Sequence, residues 1–353
     1  MRVLLCLASA AGGIGTHVAD LSRSLAAAGH DVHVATDPAT RARFELPGAA
    51  ELTVGGVRAL GRGADVVHAH GFRAGLVATT AMATLAPFAA GGVPVVVSLH
   101  NPIRGAGTSP RRVVGEVAAR GVMRRAALVT GASTDLVADA RALGARRAEL
   151  AEVPSPRVPE LLATDRDWWR TEHRDALLAR HDLAGETPFV LTIARVAPQK
   201  GIDVLAEAAA VAPGQWGLVG PGQETLAPGG PLHLLGQTAD VTKWLLAADV
   251  LVVPSEWEAR ALVVQEAMAA GTPVVARRVG GLPDLLDGVG LLVDGPQEVS
   301  AGPLARAVTA VLDHPDRAAR AAQAARERAR GWDGLDESAT RWVLRYRALL
   351  DVT

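Results

Sequence analysis

The sequence predicts an α/β protein of two doubly wound domains, and three observations predict it. The 353 residues exceed what one hydrophobic core organises, so two domains of about 150 to 180 residues follow. Each half alternates apolar runs with helical patterns, the signature of parallel strands joined by right-handed crossovers. A charged, proline-bracketed stretch separates the halves.

The first domain is expected over 1–160. Residues 2–8 are an apolar run, and Gly12-Gly13-Ile14-Gly15 forms a turn. Residues 16–28 then set Val18, Leu21, Leu25 and Ala28 at helical spacing until Gly29 stops the helix. Val32 to Thr36 is the next strand, which completes a βαβ unit. Further strands are expected at Asp65 to Ala69, Val93 to Leu99 and Ala127 to Thr130.

Residues 161–187 read as a linker, because Asp165, Arg166, Asp167, Arg170, Glu172, Arg174 and Asp175 crowd a stretch flanked by Pro154, Pro156, Pro159 and Pro188. The second domain is expected over 188–335, with strands at Phe189 to Ala194, Trp216 to Val219, His233 to Leu235, Val250 to Val253 and Val274 to Ala276. A last helix over 336–353 carries Trp342, Leu344, Tyr346 and Leu349, an apolar set suited to either domain, with a return to the N-terminal one as the candidate. Two such Rossmann-like domains would face each other across a cleft, with ligands beyond the carboxyl ends of the strands.

Hydrophobic residues at 49% and charged residues at 21% place the chain among ordered globular proteins. A net charge of −1 without any long block of like charge lacks the footprint of a nucleic-acid binder, so phosphate recognition must be local. Cys6, inside an apolar run, reads as a buried inert thiol, and a single cysteine fits a reducing cytoplasmic setting. The first eleven residues have the charge and small residues of a short signal peptide. They lead straight into a glycine turn and a helix, however, and are read as the first strand. No membrane span is expected, since no apolar stretch reaches ~18 residues. Segment 109–125 sets Arg111, Arg112, Arg120, Arg124 and Arg125 around Val113, Val114, Val117 and Val122. An ordinary exposed helix is preferred there over contact with anionic lipid.

The strongest constellation runs from Pro254 to Ala276. A strand ends at Pro254, a loop presents Glu258, and a helix begins near Leu262 with Glu266 one turn in. The N–H groups about Ala261, Leu262 and Val263 would suit a diphosphate. The two carboxylates would suit hydroxyl groups. In the loop after the domain's first strand, Arg195 and Lys200 add two cations that can neutralise phosphate charge without metal. Taken alone, the two glutamates read as solvated carboxylates on a surface helix, and the two cations are equally compatible with solvated side chains. His100 closes an apolar strand at the expected ligand edge. Of His68 and His70, only one is expected to reach that edge, and His70 is chosen because it adjoins Gly71 and the strand's carboxyl end.

Together, Glu258, Glu266, Arg195 and Lys200 resemble family 4 of the retaining glycosyltransferases, which have the two-domain GT-B fold. The resemblance covers nearly the whole chain. It extends through Gly12-Gly13-Ile14-Gly15, Asp65 to His70, Ser98-Leu99-His100, Val219-Gly220-Pro221-Gly222, Leu235-Gly236-Gln237 and Val279-Gly280-Gly281-Leu282-Pro283. It implies a nucleotide-sugar donor of the UDP or GDP class, an unidentified acceptor, and no metal or other cofactor. Glu266 would hold the ribose, Glu258 the donor sugar, Arg195 and Lys200 the diphosphate, and the backbone at Gln237 the base, with Gly220 beside it. Gly13 and Gly15 would let the first-domain loop approach, His100 would lie at the reacting carbon, and Gly12, His17 and His70 would fall on the acceptor side. Transfer would be same-face, with the departing phosphate taking the acceptor proton.

The chain departs from the family pattern at Ala259-Arg260-Ala261, where Gly-Phe-Gly is common, and at Ser155-Pro156-Arg157-Val158, where Asn-Gly-Val is common. It also has Asp284 in place of glutamate. Arg260 is read as pointing to solvent. Asp165-Arg166-Asp167 mimics a metal-binding Asp-x-Asp, but it lies in the charged linker and is read as solvated. The rival readings are a nucleotide-sugar epimerase of the same architecture, a silent nucleotide-sugar-binding protein and, least supported, a dinucleotide-dependent dehydrogenase.

Overall fold

In the computed structural model, residues 1–10, 12–48, 50–85, 92–103, 110–227, 229–294 and 301–351 are described. They fall into two compact units, Met1–Pro154 with Asp333–Thr353, and Ser155–Trp332.

The first unit runs β1 (Arg2–Leu7), α1 (Gly13–Ala27), β2 (Asp31–Ala35), α2 (Pro38–Phe44), α3 (Val54–Gly61), β3 (Val66–His70), α4 (Phe72–Ala83), β4 (Val95–Leu99), α5 (Pro110–Arg125), β5 (Leu128–Gly131), α6 (Thr134–Ala142) and β6 (Ala148–Leu150). The strands form one parallel sheet in the order β2-β1-β3-β4-β5-β6. β1 is buried at every position after Arg2, as a strand covered by helices on both faces requires. Cys6 is among these residues, and burial pushes its thiol up to about 12, so it is inert.

In the second unit, α7 (Val158–Ala163), α8 (Arg166–Trp169) and α9 (Asp175–Ala179) precede β7 (Phe189–Ile193), α10 (Ile202–Ala209), β8 (Gln215–Val219), β9 (Leu232–Leu234), α11 (Thr242–Ala247) and β10 (Val250–Val253). Then come α12 (Leu262–Ala270), β11 (Val274–Arg277), α13 (Leu282–Leu286), β12 (Leu291–Val293), α14 (Ala301–Asp313) and α15 (Pro315–Arg330). Its parallel sheet has the order β12-β11-β10-β7-β8-β9. The last helix, α16 (Leu335–Leu350), belongs to the first unit. There its Trp342, Tyr346 and Leu349 join Val18, Leu21 and Leu25 of α1 in one core.

The charged stretch expected as a linker is helical and belongs to the second unit. Asp165 caps α8 by accepting from the N–H groups of Asp167 and Trp168. A π-turn over Arg170–Arg174 continues into α9. Leu161, Leu177, Leu178 and Leu183 enter the same core as Leu251 and Met268. The charges are structural, because a helix ends with carbonyls that lack partners and arginines supply those partners at α11. Arg166 donates to Ala248 O at 2.6 Å, Arg170 to Ala247 O at 2.7 Å and Arg174 to Ala247 O at 3.1 Å. Arg170 and Arg174 also pair with Asp249 at 2.6 and 2.8 Å. The Asp-x-Asp mimic is therefore a helix start: both aspartates are exposed, as expected, and the central arginine is half-buried.

β6 and β12, three residues each, are not foreseen from the sequence because neither has a long apolar run; both are only half-buried. Residue 109 and the side chains of 110–112 lie outside the described residues. Along the rest of α5, Val113, Val114 and Val117 are exposed and Val122 is buried. No helix among the described residues is long and apolar enough to cross a membrane.

Candidate functional site

In a parallel sheet the ligand end lies where strand order reverses, beyond the carboxyl ends of the two strands flanking the reversal. In the second unit those strands are β7 and β10. Arg195 is exposed two residues past β7, and a single 3₁₀ turn, Pro198–Lys200, sets Lys200 before α10. After β10 the loop 254–261 carries Glu258 to α12. Lys200 Nζ pairs with Glu258 Oε1 at 2.5 Å, and the Ser255 hydroxyl donates to the same oxygen at 2.7 Å.

The two loops are tied by Gln199, whose amide donates to Trp257 O at 2.7 Å and whose carbonyl accepts from Glu256 N at 2.8 Å. Two glycines permit this closeness. Gly201 has φ +62° and a Cβ there would lie 2.5 Å from Pro254 O; Gly280 has φ +54° and its Cβ would lie 2.0 Å from Glu258 O. Gly281 N donates to that same carbonyl at 2.8 Å. Gly280→Ala combines a steric clash with backbone with a disfavoured φ, so it is expected to destabilise the protein by about 2–4 kcal/mol. A denaturation midpoint like that of the parent protein would show that the loop yields at no cost.

α12 starts without a side-chain cap, with Ala261 as the N-cap residue and Leu262 and Val263 in its first turn. Its leading N–H groups therefore have no intrahelical acceptor and remain suited to an anion. One turn in, Glu266 is buried at 3% exposure. Oε1 accepts from Ser155 Oγ at 2.6 Å and from Arg157 Nη1 at 3.2 Å. Burial raises the Glu266 pKa, while Ser155 and Arg157 pull it back. The segment that departs from the family pattern thus supplies the partners of this carboxylate.

Gly220, just past β8, has φ +142°, and a Cβ there would lie 2.1 Å from Ala194 O. It lets the β8 loop lie against the backbone leading to Arg195. Gly220 N donates to Gly236 O at 2.9 Å, and the Gln223 side chain bridges Leu218 O and Gly236 N at 2.9 and 3.0 Å. Gln237 follows, exposed, at the end of this clipped loop.

In the first unit the order reverses between β1 and β3. His70 ends β3, His100 follows β4, and His17 stands in the first turns of α1; they are 2%, 7% and 6% exposed. His70 Nδ1 and His100 Nε2 are 3.2 Å apart, and the His17 ring centroid is 5.5 Å from each of theirs. Burial lowers His17 to about 4 and His100 to about 3, and holds His70 well below the usual histidine range, so all three rings are neutral at pH 7. His68, fully buried, bonds Tyr346 Oη and Ser98 Oγ, each at 2.7 Å.

The structure assembles Lys200 with Glu258, Glu266 with α12, and His17 with His70 and His100. It corrects other expectations. His68 and His70 share one face of β3, as a spacing of two dictates, with rings 4.1 Å apart; they differ in depth, not in side. Gly15 is buried, and its missing Cβ makes room for the Phe44 ring, 2.2 Å from where it would be, so it serves packing. Gly12 and Gly13 are exposed. Arg260 is buried at 8% and stands 5.2 Å over the Trp332 ring, so it does not point to solvent; an indole face attracts a guanidinium, and no local pattern announces a partner 72 positions away. Sequence reasoning missed Gln199, Gln223, Ser155 and Arg157 as positioning groups. For the last two, the departure from the family pattern was the available signal.

Residues 12–156 match the family described as glycosyl transferase 4-like domain, and residues 187–314 match the glycosyl transferases group 1. A D-inositol 3-phosphate glycosyltransferase of Xylanimonas cellulosilytica is 31% identical, over 92% of this chain and 89% of the relative. One from Catenulispora acidiphila is 30% identical, over 85% and 76%. Among solved structures, Anabaena HepE in complex with UDP aligns with TM-score 0.80 at 20% identity, covering 99% of this chain and 100% of that one. Sucrose-phosphate synthase from Thermosynechococcus elongatus aligns at 0.78 and 22%, covering 100% of both. With two parallel six-stranded sheets and relatives of this kind along nearly its full length, the chain belongs to family 4 of the glycosyltransferases, enzymes of glycosyl transfer with the GT-B fold.

Proposed function

We propose that the enzyme takes its sugar from a UDP- or GDP-sugar, retains the anomeric configuration, and delivers the sugar to a hydroxyl of a phosphorylated polyol of the inositol phosphate kind, with no metal ion at the diphosphate. The observation that carries the donor half is the Lys200–Glu258 pair, 2.5 Å apart, beside Arg195 and the uncapped start of α12. Cations and N–H groups there meet the phosphates, while carboxylates meet sugar hydroxyls. The UDP and UDP-glucose complexes of HepE support the donor class. The names of the relatives support the acceptor class.

On this reading the bond from the anomeric carbon to the diphosphate oxygen breaks as negative charge grows on that oxygen. Arg195, Lys200 and the α12 N–H groups stabilise the charge where it develops. The acceptor oxygen forms its bond on the same face and passes its proton to the departing phosphate. Neutral His100 acts as a hydrogen-bonding group to the donor sugar and not as a cation. Glu266, held by Ser155 and Arg157, receives the ribose hydroxyls in a preset orientation.

The test is product formation from a panel of UDP- and GDP-sugars with inositol phosphate, read by mass spectrometry, with the anomeric configuration read by NMR and EDTA present in a parallel arm. One glycoside per nucleoside diphosphate, configuration retained and rate unchanged by EDTA, is the expected result. An inverted product rejects the same-face step. If no nucleotide raises the melting temperature and Glu266→Ala alters no donor hydrolysis, the donor assignment fails. Arg157→Ala is expected to raise the donor KM about tenfold with little change in kcat, because Glu266 loses orientation before the chemical step. A loss confined to kcat would place Arg157 in the chemistry instead.

A further inference from the structure

The strand order β1-β3-β4 gathers imidazoles that lie up to 83 positions apart in the chain. His17, His70 and His100 each offer one ring nitrogen, all within 4.8 Å of one another, and they are the only such metal-competent group among the described residues. Each ring is more than nine-tenths buried.

One detail distinguishes this trio from ordinary core histidines. Two imidazoles bound to one tetrahedral zinc at ~2.0–2.1 Å stand about 3.3 Å apart. His70 Nδ1 and His100 Nε2 already stand 3.2 Å apart, with a proton between them where an ion would sit. His68, the fourth imidazole nearby, has both nitrogens engaged by Tyr346 and Ser98 and is not a candidate ligand. Bringing His17 from within 4.8 Å to tetrahedral spacing takes rotation about its soft terminal torsion.

We propose that His17, His70 and His100 form a binding site for one divalent transition-metal ion of the zinc class, with the fourth coordination position open. Three neutral imidazoles and no carboxylate select zinc, cobalt, nickel or copper over magnesium or calcium. The trio lies at the ligand end of the first unit's sheet, whereas the residues proposed to hold the donor diphosphate belong to the second unit.

The test uses the full-length, tag-free protein stripped with EDTA and titrated with zinc chloride in competition with a chromophoric chelator. Bound metal is counted after gel filtration, and cobalt is used in a second titration for its visible spectrum. One equivalent of zinc per chain and the absorption of four-coordinate, nitrogen-ligated cobalt are expected. His17→Ala and His70→Gln are expected to weaken zinc at least a hundredfold, while His233→Gln, at an exposed position, leaves it unchanged. Circular dichroism checks that the variants fold. If they do not, the cobalt spectrum of the parent protein decides. Failure of the parent protein to retain an equivalent of zinc, or affinity that survives both substitutions, overturns the proposal. All arms are read without nucleotide sugar or acceptor, so this result and that of the transfer assay stand or fall separately.

Discussion

Replacing Lys200 with alanine is expected to lower kcat/KM for the donor by about 10²- to 10³-fold, the usual cost of one missing group opposite a developing oxyanion. Two effects combine. The leaving diphosphate loses a cation, and Glu258, whose side chain is 14% exposed, loses the partner 2.5 Å from its Oε1. Only the Ser255 hydroxyl remains on that oxygen among the described residues. The carboxylate would then stand close to incoming phosphates without its counter-charge. Lys200→Ala with Glu258→Gln should therefore cost less than the two separate losses combined, because removing the charge of Glu258 relieves part of the first defect. Steady-state kinetics on the four proteins of this cycle check it. If Lys200→Ala matches the parent protein, the pair is structural and the diphosphate is neutralised elsewhere.

Acidification is expected to produce the largest change in stability. In the unfolded chain an imidazole takes its proton near 6.5, whereas in the fold burial holds His17 to about 4 and His100 to about 3, and His68 and His70 well below the ordinary range. Between those limits the unfolded chain binds more protons than the folded one. The stabilisation is therefore complete above about pH 7 and falls as pH descends. At pH 5 His17 and His100 each contribute a penalty of about 2 kcal/mol, and His68 and His70 add to it in the same direction, a sum that is a large part of the ~5–15 kcal/mol margin of a typical native chain. The melting temperature should drop by more than about 10 °C between pH 7.5 and 5.0. His68→Gln, which keeps an amide for Ser98 and Tyr346 but cannot charge in this range, should flatten the slope. A melting temperature constant across this interval would mean that the rings take up protons without cost and that the cluster admits water.

The two sheets were legible because buried parallel strands are written as continuous apolar runs, and Leu4, Val67, Val97, Leu191 and Leu251 all lie in such runs. The donor half was legible because its residues cluster: Glu258 and Glu266 are eight positions apart, Arg195 and Lys200 five. The histidine trio was not, since nothing local in Thr16-His17-Val18 points to His70 or His100; only strand order joins them. The arginines of 166–174 misled for a different reason. A run of charge in sequence looks like solvent exposure, yet guanidinium forks are good partners for the orphan carbonyls at a helix end, and that use leaves no periodic mark. Arg260 misled likewise.

The placement of α16 carries a consequence for how the molecule is made. The first unit is discontinuous, Met1–Pro154 completed by Asp333–Thr353, while the second is a contiguous insert, Ser155–Trp332. During synthesis the second unit can finish as soon as it leaves the ribosome. The first must wait, its α1 face bare and His68 without the Tyr346 hydroxyl, until α16 has been translated. The nascent amino-terminal half thus keeps an apolar face open to water until the last helix arrives to close it.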